Sequence, residues 1–306
     1  MKITSAPFDR ASSSVFSMQM DMLFALALII VGSCFVYGAQ ALIIYIFAVF
    51  GSFFIEFLWN GLGKNQWKIY DASTIITGIL FASLLPIHTP TLAVILGAMF
   101  ANGCIKVLFG GIGKNFVNPA AMGVLVVSYV LGSLSKYMGS GITQNMLQSP
   151  FVLVAEHTPF TWHIFYNLLL GNVQGSIGGV MVVLSLVSVL YLLLRKTVSW
   201  RAMVPAIVTY ALIIVIWKGV VCLPYYLCAA NFIFIMVFML TDPSTSPNSA
   251  VSTMFFGGVY GIMSGILVCV GTLENLSCVV ALLVANICVP LLEKALYPKQ
   301  ARGKIV

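Results

Sequence analysis

The stretch DASTIITGILFASLLPIHTP (71–90) decides how this chain folds. Between Asp71 and Pro86 lie fourteen residues without a charge. As a helix they rise about 21 Å at about 1.5 Å each, short of the roughly 30 Å of a bilayer's hydrocarbon core. Apolar runs at 18–36 and 41–59 precede this stretch, and others at 91–108 and 118–134 follow. Across the 306 residues 60% are apolar and 8% are charged, too few charges to cover a surface facing water. Lipid is therefore the solvent, and 72–85 is a short span within a polytopic membrane protein.

The second half repeats the pattern, with runs at 176–194, 202–217, 225–240, 253–271 and 275–292. The 225–240 run is also short and ends at TDPSTSP (241–247). Short spans interrupted by proline, at the third place of each half, are the pattern of an inverted repeat with a site near the midplane. The expected fold is all-α and membrane-integral, about ten transmembrane helices arranged as two inverted five-helix repeats with short broken spans. The expected layout is a tail at 1–17, a first repeat at 18–134, a loop at 135–175, a second repeat at 176–292 and a tail at 293–306. No small-residue cleavage site follows the first run, so it reads as a retained span. The one long polar stretch, Ser135–Thr161, breaks the rhythm of short loops, and loops of that length usually carry function.

The net charge of +7 does not point to nucleic acid, because of where the charges fall. With the N-terminus inside, thirteen of the fifteen Lys and Arg residues lie on the inner side and only Lys136 and Lys218 on the outer. That is the positive-inside asymmetry, and it makes both termini cytoplasmic. Trp59, Trp67, Trp162, Trp200 and Trp217 fall near span ends, as interfacial anchors do. The seven cysteines include no C-x-x-C pair, which argues against an iron–sulfur or zinc site held by this chain alone. Cys222 and Cys228 are close enough to pair, although buried thiols are the simpler reading. His88, His157 and His163 show no metal-ligand spacing. Gly113-Lys114 lacks the following Ser or Thr of a phosphate loop, and no strand precedes it.

A few polar residues at membrane depth remain as candidates. Asn118 before Pro119 reads as a helix N-cap followed by proline at the first helical position. Such a terminus also favours negative charge, through its free N–H groups and the helix dipole. Asp242 follows the short span of the second half. Glu56 lies one turn from Trp59 on the second span. It either snorkels or ligates a cation or proton. Asp21 and Asp71 stand at span ends, where acids are common, and are weaker candidates for an ion path.

Four motifs in order carry a family resemblance: DASTIITGIL (71–80), FGGIGKNFVNPAAM (109–122), LGNVQGSIG (170–178) and TDPSTSP (241–247). Together they resemble RnfD, a membrane component of the Rnf-type ion-translocating electron-transport complex, over roughly residues 15–295. They also resemble its relative NqrB, from the sodium-pumping NADH:quinone reductase. The short N-terminal tail favours the former. The resemblance implies a subunit of the bacterial inner membrane that carries flavin and couples electron transfer to sodium or proton translocation. It has no complete active site of its own, and its partners are the other subunits of the complex. It further implies non-covalent riboflavin near Asn115 and Asn118, with Asp242 near the flavin or on a cation path. Family members also esterify FMN to a threonine within S/T-G-A-T-P on the outer loop. Here TQNMLQSPF (143–151) occupies that place, with Ser149 before the proline and bulky Leu147 and Gln148 where small residues stand in the family. Thr158, before Pro159, is the second candidate. The bulky neighbours argue against efficient attachment. Two rival readings are a channel or transporter of urea-transporter-like fold and a scaffold subunit that has lost its flavins.

Overall fold

The computed structural model describes residues 15–62, 72–111, 115–132, 146–271 and 273–296. Helices α1 (Val15–Tyr37) and α2 (Ala39–Leu62) touch each other and are joined at Gly38. They are followed by the short α3 (Ser73–Ser83), by α4 (Thr91–Phe100), which continues as a π-helix (Ala101–Val107), and by α5 (Pro119–Val130). Two short helices, α6 (Pro150–Ala155) and α7 (Trp162–Leu170), come before α8 (Val182–Leu194) and α9 (Trp200–Lys218). The last described elements are α10 (Leu223–Leu227), α11 (Phe232–Phe238), α12 (Ala250–Val270) and α13 (Ser277–Leu296).

Five of these stretches are long and apolar enough to cross a membrane: α1, Ala39–Trp59 of α2, α9, α12, and Glu274–Leu296 including α13. The pair Val220–Leu227 and Phe232–Phe238, bent by 55°, is a sixth if it is counted as one broken span. The segments α3, Thr91–Val107, α5 and α8 are apolar but shorter. The expected all-helical membrane protein is present, and among the described residues the count of full-length spans is five or six rather than ten.

Apolar and polar groups are distributed as lipid requires. Phe35 and Ile216 are 85% and 80% exposed, an arrangement that would aggregate in water. Ser33, Asn102, Lys106, Asn118 and Asn286 are buried. Helix α12 lies against α9 with backbones almost touching. A Cβ on Gly257 would sit 2.0 Å from the Ala202 carbonyl oxygen, and one on Gly261 would sit 2.3 Å from that of Ala206. This is the close approach that glycines four apart permit between membrane helices.

A helix that stops inside the membrane leaves carbonyls without partners, and each must find a donor. At the end of α3 the donors come from the GSIGG turn. The N–H groups of Gly178 and Gly179 reach the Ser83 carbonyl at 2.8 and 3.1 Å, and that of Ile177 reaches Leu85 at 2.9 Å. The break between α10 and α11 is built from Ala230 and Asn231, both left-handed at φ 53° and 62°. Ser176 from the same glycine turn donates to the Asn231 side-chain oxygen at 2.6 Å, which fixes the strained pair.

The Ser135–Thr161 stretch is not simply a loop. Its described part, from residue 146 on, contains α6, and α7 follows directly. All seven cysteines are free thiols, so Cys222 and Cys228 are not bridged.

Candidate functional site

The FGG turn that leads to the site needs glycine. Gly110 and Gly111 have φ of 100° and 91°, a conformation that L side chains rarely adopt. Beyond it the chain enters α5 as the sequence predicts. Asn118 is the N-cap, its side-chain oxygen accepts the Ala121 N–H at 3.2 Å, and Pro119 occupies the first helical position. The TDPSTSP segment closes on itself at the end of α11. The Thr241 hydroxyl donates to the Val237 carbonyl at 2.7 Å, and the Ser244 N–H donates to the Asp242 carboxylate at 2.9 Å. Asn286 of α13 ties the two motifs together. Its side-chain oxygen accepts the Asn118 N–H at 3.1 Å, and its amide N–H reaches the Thr245 carbonyl at 3.3 Å.

These segments enclose a cavity of about 310 Å³, at the small end of the roughly 300–1,000 Å³ typical of small-molecule sites. Its apolar walls come from Met18 and Met22 of α1, Ile76 and Leu80 of α3, and Phe238 of α11. Its polar lining includes Asn115, Asn118, Asp242 and Lys106. The three residues Asn115, Asn118 and Asp242, separated by up to 127 positions in the chain, thus meet at one site. The side-chain oxygen of Asn115 is buried there with no hydrogen-bond partner among the described residues. A buried acceptor left unpaired costs about 1–3 kcal/mol, so a donor on a bound molecule would find it prepared. Burial pushes the Asp242 carboxyl above the ordinary carboxylate range, opposed by the Ser244 N–H and the Lys106 charge.

Next to the cavity is a polar chain that the sequence reading did not assemble. Lys106, in the last turn of the π-helix and 3% exposed, donates to the Thr74 hydroxyl at 2.8 Å. Thr74 in turn donates to the Glu56 carboxylate. Asn102 adds a second donor to Glu56 at 3.3 Å while also holding the Ser52 carbonyl at 2.9 Å. Glu56 therefore turns inward and does not snorkel. Sequence reasoning counted Lys106 among the interfacial cations and passed over Asn102 and Asn286. The available signal was one polar residue in the middle of an apolar run, which membrane depth makes expensive.

Asp21 is held from three sides, by Arg195 Nε at 3.0 Å, Thr197 Oγ1 at 2.9 Å and the Tyr191 hydroxyl at 3.1 Å. It clamps α1 to the turn after α8, and Thr197 of that turn borders the cavity. Asp71 lies outside the described residues. Ser149 and Thr158 stand elsewhere, at the α10 end of the broken pair, whereas the cavity meets its α11 end. Ser149 is the N-cap of α6, accepting the Val152 N–H at 3.5 Å, and the Thr158 carbonyl accepts the Tyr225 hydroxyl at 3.2 Å.

Comparison with known proteins agrees with the motifs. The profile of the NQR2, RnfD, RnfE family matches residues 2–302. The D subunit of the Na(+)-translocating ferredoxin:NAD(+) oxidoreductase complex of Acetobacterium woodii is 29% identical over 305 residues, 96% of this chain and 93% of that protein. The proton-translocating counterpart from Clostridium ljungdahlii is 25% identical over 97% of this chain and 94% of its own length. The B subunit of the Na(+)-translocating NADH-quinone reductase of Chromohalobacter salexigens is 28% identical over 71% of this chain, and the match spans 56% of that longer protein. The chain belongs to the NQR2, RnfD, RnfE family.

Proposed function

We propose that this chain is the flavin-carrying membrane subunit of an ion-translocating electron-transport complex, and that riboflavin occupies the cavity lined by Asn115, Asn118 and Asp242. The observation that carries this reading is the buried Asn115 oxygen, without a partner among the described residues, in a cavity that is otherwise mostly apolar. A ring imide N–H is the donor such an oxygen lacks, and the apolar walls suit a planar aromatic body. Bound there, flavin supplies electron-carrier chemistry that no side chain has. The chain's part is to hold and tune it. Asn115 accepts from the ring edge. The α5 N-terminus, capped by Asn118, offers a positive dipole end. Helices α1, α3 and α11 exclude water.

Relatives named for sodium and for proton translocation support a coupled pump without choosing the ion. Glu56, half-buried and linked through Thr74 to Lys106 of the cavity wall, is the residue we assign to the cation or proton path. Donors and acceptors of electrons come from partner subunits. We further propose that α1–α5 and α8–α13 are inverted repeats, with the short spans α3 and α10–α11 in equivalent places. Both termini are then cytoplasmic, in a bacterial inner membrane, and FMN attachment at Ser149 is inefficient. The shortness of α3 and the 55° break between α10 and α11 support the repeat.

The test is the absorbance spectrum of the purified protein before and after acid precipitation. Flavin released into the supernatant is the expected result. Yellow colour that stays entirely with the pellet would move the flavin to the outer loop. A colourless protein purified within its complex would favour the scaffold or channel readings.

A further inference from the structure

We propose that Lys106 makes the cavity prefer the reduced form of its ligand, and that Glu56 opposes Lys106 through the Thr74 hydroxyl they share. The inference rests on the flavin reading above and adds the electrostatic element that would link electron transfer to the ion path. Lys106 is at once a wall of the cavity and the first member of the chain that leads to Glu56. Its ammonium group is held at 2.8 Å from Thr74 Oγ1, and Thr74 itself is 1% exposed. In that low-dielectric setting a charge acts over distances that water would screen.

A ring that accepts electrons gains negative charge, so a neighbouring cation binds it more tightly after reduction than before. Lys106 supplies that preference. Glu56 draws on the same positive charge from the other side and weakens it in the cavity. Neutralising Glu56, by a proton or a bound cation, removes the opposition and shifts the cavity towards the reduced ligand. Linkage makes the effect reciprocal: a reduced ligand favours a neutralised Glu56. Ion arrival at Glu56 and electron arrival in the cavity then assist one another through a single lysine. The π-helix has a purpose in this account, because such segments re-aim side chains at functional places and here Lys106 sits on its last turn.

The experiment is spectroelectrochemical titration of the purified full-length protein loaded with riboflavin, as wild type, Lys106→Gln and Glu56→Gln. Lys106→Gln is expected to lower the ratio of reduced to oxidised affinity at least tenfold, a fall of about 30 mV for a two-electron couple. Glu56→Gln is expected to raise the same ratio several-fold. Opposite signs are the mark of the linkage, since a structural role would weaken both forms alike. An unchanged ratio in Lys106→Gln overturns the proposal, even where total affinity falls. Should that variant not fold, Glu56→Gln decides alone, and a ratio that stays or falls overturns it. If wild-type protein takes up no riboflavin, the flavin reading fails first and this inference falls with it.

Discussion

The Asn286 side chain accepts the backbone N–H of Asn118 at 3.1 Å, joining α13 to the first turn of α5. The same amide holds Thr245 at 3.3 Å, so one residue fixes two of the family's motifs around the cavity. Replacing it leaves a buried N–H and a buried carbonyl without partners. Asn286→Leu is therefore expected to destabilise the protein by about 1–3 kcal/mol and to lower its flavin content. Thermal unfolding in detergent, followed with and without added riboflavin, checks both parts. An unchanged melting temperature would mean that the two motifs are held by packing alone.

The α9–α12 contact makes a sharper steric prediction. A Cβ at Gly257 would meet the Ala202 carbonyl at 2.0 Å, whereas one at the adjacent Gly258 meets nothing nearer than Thr209 at 4.0 Å. Gly257→Ala is expected to reduce the yield of monodisperse protein several-fold, and Gly258→Ala to leave it unchanged. Fluorescence-detected size exclusion separates the two. Equal behaviour of the two variants would contradict the helix contact described here.

Much of this site was legible in the sequence because its chemistry sits in loops with strong local signatures. Asn118-Pro119 announces a cap, and Gly110-Gly111 a turn that only glycine takes easily. TDPSTSP marks the end of a span. What local reading could not supply were the single polar residues inside apolar runs. Lys106, Asn102 and Asn286 acquire meaning only when another helix brings them a partner. The break at Ala230–Asn231 was hidden for the same reason. It contains neither proline nor glycine, and the bond that steadies it comes from Ser176, 55 residues away. Helices α6 and α7 were missed because six and nine residues leave too little periodicity to read.

The Ser149 segment gives a prediction about covalent flavin. Ser149 precedes Pro150 at the cap of α6, with Leu147 and Gln148 beside it where a transferase would need small residues. Co-expression with a flavin transferase should give only weak fluorescence of the denatured protein in gels. That signal should vanish in Ser149→Ala and persist in Thr158→Ala. The reverse pattern would move the attachment site to Thr158.

Topology can be tested where the charge asymmetry is most committed. A Ser140→Cys variant in an otherwise cysteine-free background should react with an impermeant maleimide added from outside the cell. Reaction only after the cytoplasmic face is exposed would invert the proposed orientation.

The riboflavin content of the purified protein in Asn115→Ala, Asn118→Ser and Asn118→Leu tests the central claim most directly. The oxygen of Asn115, at the cavity, has no partner among the described residues, while the oxygen of Asn118 is already committed to its cap. Loss of one buried hydrogen bond corresponds to about tenfold to a hundredfold in affinity. Asn115→Ala should therefore lose most of its riboflavin while inserting and assembling normally. Asn118→Ser, which restores the cap, should retain more than Asn118→Leu, which removes it. Wild-type riboflavin content in all three variants would contradict the account and leave the cavity without its ligand.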